Sequence, residues 1–165
     1  MIAANQRCLA QASTLLDLID DVQYASPRGV WSPIGAQLRH VIEHYQCFLE
    51  GLPAGRIDYD SRRRDPVLEA SRRRAAEAIA ELAVGLGRVP ANSAGRAVAV
   101  QMQCHPDHHR TNWTDSSVGR ELQFLVSHSV HHFALIKLLL AGDGLTLDPE
   151  FGTAPSTVSA ARAKG

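Results

Sequence analysis

"FLVSHSVHHFALIKLLLAG", residues 124–142, decides the fold. Its apolar residues recur at helical spacing, yet three histidines interrupt them. At ~100° per residue, side chains four apart lie only ~40° apart around a helix axis. His128 and His132 have that spacing. With His128 as origin, Phe124, Leu125, Leu135, Ile136 and Leu139 spread to both sides while Lys137 falls opposite, so the pair is predicted to lie in the middle of a buried stripe. His131 falls on its other flank. A buried ring nitrogen without a partner costs ~1–3 kcal/mol, so something must bond to these histidines. A lone one would be read as a core histidine bonded to its neighbours. Two at i and i+4 favour a metal, because their nitrogens can converge on one ion at ~2.0–2.1 Å.

Three further helices are predicted. Apolar residues at helical spacing run from Ile2 to Val22, until "YASPRGVWSP" breaks the pattern. Ser32 as cap and Pro33 at the first helical position open "IGAQLRHVIEHYQCFLEG", stopped by Gly51 and Pro53. Asp65-Pro66 opens "VLEASRRRAAEAIAELAVGLG", rich in strong helix formers. Ser116 or Ser117 caps the last helix, expected from about Val118 to Ala141. Between the last two, Val98, Val100, Met102 and Cys104 alternate with smaller or polar residues, a strand-like period consistent with a hairpin turning at "HPDHH". The expectation is an all-α four-helix bundle over residues 1–142, with a long, partly extended crossover between helices three and four. Residues 143–165 form a largely irregular C-terminal tail.

A chain of 165 residues is the size of one domain. Its 17 basic and 17 acidic residues balance, which argues against nucleic-acid or membrane partners. No apolar run approaches the ~20 residues that span a bilayer, and a cytoplasmic location is expected. Cys8, Cys47 and Cys104 are odd in number and far apart, as reduced thiols are. The runs Arg62-Arg63-Arg64 and Arg72-Arg73-Arg74 read as solvated charge. Glu69 and Glu77 each stand four from Arg73, and three successive helical residues spread over ~200° rather than forming one basic face.

A third metal ligand is sought on the second helix, which offers His40 and His44. Both lie toward the border of its stripe of Ile34, Leu38, Val41, Tyr45, Phe48 and Leu52. His44 is closer, so periodicity favours it. A helix in a bundle touches two neighbours, so His40 stays open. "IGAQLRHVIEHY" in one helix and "HSVHH" in the last resemble the DinB/YfiT-like superfamily of four-helix-bundle metalloproteins. These pair one second-helix histidine with H-x-x-x-H on the fourth. The resemblance rests on Gly35, Leu38, His40 and Val41. It implies a metal site of His40, His128 and His132, with His44 as a neighbour or alternative.

It also implies metal-dependent hydrolysis, or transfer or isomerisation using a low-molecular-weight thiol, on a small-molecule substrate. Zinc and nickel both suit such ligands. A homodimer is the expected assembly. The competing reading is a non-catalytic, dimeric helical bundle with structural histidines or a structural metal. Di-iron bundles need Glu-x-x-His and zincin proteases need H-E-x-x-H, and both motifs are absent. Glu43 reads as solvated, with a secondary reading as a hydrogen-bond acceptor behind a ligand or a proton carrier beside the site. Cys104, His105, Asp107, His108 and His109 read mainly as a polar turn that also carries ligand types. Trp31 and Trp113 read as packing residues, or as the lining of a pocket.

Overall fold

The first helix, α1 (Ile2–Leu18), buries Leu9, Ala12 and Leu16 on one side. The computed structural model describes residues 1–29, 31–105 and 113–163 of the chain. The predicted first helix stops short of Val22. Asp20 accepts a hydrogen bond from the Gln23 N–H, and the Gln23 side chain answers at the Asp20 N–H. This reciprocal cap starts a separate short helix, α2 (Asp21–Ala25). Helix α3 (Ile34–Gly51) follows. Pro33, not Ser32, occupies its capping position, and no side-chain cap is made.

The predicted third helix is two. Ser71 has extended backbone angles and ends α4 (Pro66–Ala70), while its hydroxyl accepts from the Arg74 N–H to start α5 (Arg72–Gly87). The break removes the helical register between Glu69 and Arg73. Glu69 pairs instead with Arg39, and Arg73 with Glu77. The extended crossover is a three-stranded sheet, so the protein is mostly helical rather than all-α. β2 (Ala97–Gln101) pairs antiparallel with β3 (Thr114–Ser117), Ala97 opposite Ser117 and Val100 opposite Thr114. β1 (Arg56–Asp58) lies parallel to β2 on its other edge, with Ile57 opposite Val100. The turn expected at residues 105–109 lies outside the described residues beyond His105. Ser117 caps α6 (Val118–Leu139) by accepting from the Arg120 N–H. The helix ends two residues before the expected Ala141.

The four long helices form a ring of contacts, α1 and α3 each packing on both α5 and α6. A polar chain crosses its interior. Ser129 Oγ lies 3.3 Å from Tyr45 Oη and donates to the Leu125 carbonyl at 2.7 Å, Tyr45 donates to Asn5 Oδ1 at 2.9 Å, and Asn5 donates to the Leu122 carbonyl at 3.0 Å. All three side chains are buried, so each link satisfies a polar group that would otherwise be a cost. The tail is not wholly irregular. Phe151 stacks on Phe133 at 4.9 Å, Glu150 takes Arg7 and Arg162, and residues Pro155–Arg162 form α7. Among the described residues, no helix is long and apolar enough to cross a membrane.

Gly35 sets how closely α3 approaches α4. A Cβ there would stand 2.0 Å from the Glu69 carbonyl oxygen and 2.8 Å from the Tyr24 ring. Backbone cannot yield as a flexible side chain can, so Gly35→Ala is expected to destabilise the protein by about 2–3 kcal/mol. A denaturant midpoint unchanged from wild type would refute this.

Candidate metal centre

Helix α6 does not bury the histidines as periodicity predicted. Its buried line is Leu122, Leu125, Ser129, Phe133 and Ile136, displaced about 100° around the axis from His128. His128 and His132 are half-buried at the border of that line. The reason is the ring of four helices: α6 turns its main apolar face inward and its histidine face toward the seam with α3. His131 is exposed.

At that seam His40 from α3 meets the pair. The ligand-type nitrogens of His40, His128 and His132 lie within 4.8 Å of one another. Their ring centroids are 4.6, 4.7 and 4.9 Å apart. His132 Nδ1 donates to Gln37 Oε1 at 2.6 Å, which leaves Nε2 with a free lone pair. His128 Nε2 is buried and has no hydrogen-bond partner among the described residues. A buried ring nitrogen with no hydrogen-bond partner among the described residues, on a ring whose centroid lies within 4.9 Å of two other imidazoles, is the arrangement a metal ion satisfies, and these three residues could hold one.

His44 is buried more deeply than His40, as periodicity had it, and that depth commits both its nitrogens. Nδ1 donates back to the His40 carbonyl at 2.7 Å, and Nε2 accepts from Arg62 Nη1 at 3.2 Å. The ring, 4.4 Å from His40 and 4.1 Å from His128, serves as a wall. Tyr59 stacks on His44 at 5.4 Å, and Phe124 stacks on His128 at 5.3 Å. The Tyr59 hydroxyl donates to Glu121 Oε2 at 2.9 Å, and Ser116 donates to Glu121 Oε1 at 2.6 Å. Burial, then the Glu121 charge, raises the Tyr59 phenol well above its usual range.

All four imidazoles are pushed down by burial first, and neighbouring positive charge is the next cause for His40, His128 and His132. His40 falls to about 2, with His44 the next largest cause. His128 falls to about 3, again with His44 next. His132 falls to about 4, with His128 next. His44 also falls to about 4, where its bond to the His40 carbonyl partly opposes burial. The rings are neutral at pH 7, the form in which imidazole binds metal.

Glu43 is not solvated. It is 1% exposed, accepting from the Asp65 N–H at 2.7 Å and from Arg39 at 3.3 Å, so it ties α3 to the start of α4. Cys104 and His105 are exposed. Asp107, His108 and His109 lie outside the described residues. Trp31 and Trp113 are both exposed, Trp113 under the Arg56 guanidinium at 4.1 Å, so neither is a core residue. The three cysteines are free. Sequence reasoning misses Gln37, Tyr59 and Arg62. Arg62 reads like its solvated neighbours, because no periodicity exists in a loop to separate it from them.

No family model matches the chain. No solved structure matches it either. A stretch of 43 residues is 46% identical to part of FK506-binding protein 5 from Rhizopus delemar. That stretch covers 26% of this chain and 11% of that protein, a likeness too short to carry an activity across.

Proposed function

We propose that this protein is a metal-dependent enzyme of the DinB kind, a four-helix bundle acting on a small molecule at His40, His128 and His132. The observation that carries the reading is the buried, partnerless Nε2 of His128 beside two imidazoles with lone pairs to spare. The ring of α1, α5, α3 and α6 supports the bundle architecture. Zinc or nickel suits an all-imidazole set. When bound between three neutral ligands, such an ion keeps an open position and supplies Lewis acidity, lowering the pKa of water toward ~7 or activating a substrate thiol.

The chain's own residues do the rest. Gln37 fixes the tautomer and direction of His132, and His44, Tyr59 and Phe124 form one aromatic cluster that restricts the His128 ring. Metal analysis of the purified protein, followed by assays against thiol adducts, amides and esters, tests the proposal. One ion per chain and turnover of one substrate class are expected. A chain that binds neither zinc nor nickel would favour the non-catalytic bundle instead.

Gln37→Leu keeps the volume but removes the acceptor that orients His132. It is expected to weaken metal binding about 10–100-fold, the usual effect of losing such a partner. Competition with a chromophoric chelator measures this, and an unchanged affinity would show that Gln37 does not orient the ligand.

A further inference from the structure

Arg62 is half-buried in the connection between β1 and α4. Its Nη1 donates to the Tyr59 carbonyl at 2.6 Å and to His44 Nε2 at 3.2 Å. The other edge of the guanidinium, where Nε–H and Nη2–H run side by side, has no partner among the described residues. That edge is the fork that grips a carboxylate with two parallel hydrogen bonds.

The carboxylates in this part of the protein have other partners. Glu50 takes Arg63, Glu43 takes Arg39 and the Asp65 N–H, Asp58 accepts from the N–H groups of Asp60 and Ser61, Asp60 accepts from the Gln103 N–H, and Glu121 accepts from Tyr59 and Ser116. The guanidinium stands against His44, whose ring is 4.1 Å from His128 and 4.4 Å from His40. Three neutral imidazoles do nothing to offset a divalent cation bound among them. A metal ion bound there would stand one imidazole away from a half-buried arginine with no acid paired to it among the described residues, and two such cations favour a negatively charged ligand.

We infer that Arg62 binds a carboxylate of the substrate beside the three-histidine centre, so that the substrate is a small organic carboxylate. This rests on the metal reading above. Arg62 is then a specificity residue with its Nη1 anchored to Tyr59 and His44 and its free edge presented to the ligand.

The test uses the full chain loaded with cobalt(II), whose visible bands report on its coordination, titrated with succinate and with its neutral diamide, succinamide. Wild type is expected to bind succinate at least about tenfold more tightly than succinamide, the preference of a charge-assisted fork. Arg62→Gln should erase that preference while cobalt still binds at one equivalent. Arg62→Lys, which keeps the charge but lacks the fork, should restore only part of it. Equal binding of the two probes by wild type, or an undiminished preference in Arg62→Gln, would overturn the inference and leave the metal centre standing. Failure of cobalt to take histidine coordination would overturn both. Should Arg62→Gln not fold, the wild-type comparison and Arg62→Lys still decide.

Discussion

Saturating zinc or nickel is expected to raise the melting temperature of the metal-free protein by about 10 °C, and His128→Leu to abolish that rise. A ligand at a thousand times its Kd stabilises the native state by about 4 kcal/mol, and each kcal/mol is worth about 2–4 °C in a chain of this size. The same substitution should have the opposite effect without metal. His128 Nε2 is buried and unbonded, and leucine of similar bulk carries no such polar atom. Metal-free His128→Leu is therefore expected to be about 1 kcal/mol more stable than metal-free wild type. A residue that costs stability until a metal arrives is kept for the metal. His131→Ala is the control, because His131 is exposed and outside the cluster. Differential scanning calorimetry with and without metal reads all three chains. No rise in wild type, or an equal rise in His128→Leu, would remove the metal from this site.

Acid should unfold the metal-free protein early. His40, His44, His128 and His132 take up protons in the unfolded chain near 6.5, but in the folded chain only near about 2, 4, 3 and 4. Between those values the unfolded state binds more protons, so stability present above pH 6.5 is lost as the pH falls. The loss slackens below about 4 for His44 and His132, and continues toward about 2–3 for the other two. From pH 7 to pH 5 the melting temperature is expected to fall by about 10 °C, after discounting the shifts for partial solvent access. A double variant, His128→Leu with His132→Leu, has two fewer groups to protonate and should show a visibly shallower decline. A flat melting temperature across that range, or equal slopes for both chains, would show that burial does not hold these rings neutral.

Much of the fold is legible locally. The spacing of apolar residues places α3 and α6, and Ser117 caps α6 as its position promised. Where the reading fails, a side chain chose a different local partner. Asp20 with Gln23 and Ser71 with Arg74 each make a cap inside what periodicity treats as continuous helix, because periodicity counts apolar positions and ignores competing hydrogen bonds. The sheet shows a similar limit. Alternation signalled β2, but nothing in the three residues of β1 announces a parallel partner some forty positions away, since that pairing depends on contacts distant in sequence.

For this protein the sequence by itself determined that imidazoles stand at i and i+4 on one long helix and that two more lie on another, because helix geometry converts spacing into direction. Periodicity favours His44 and the family resemblance implies His40, and tertiary packing decided which of the two completes the cluster. His44, the one closer to the apolar stripe, spends its nitrogens on a backbone carbonyl and on Arg62, and His40 is left facing the pair. That outcome depends on where a loop arginine comes to rest and on how α6 rotates between two neighbours. Both are set by packing among segments far apart in the chain, which no local periodicity records.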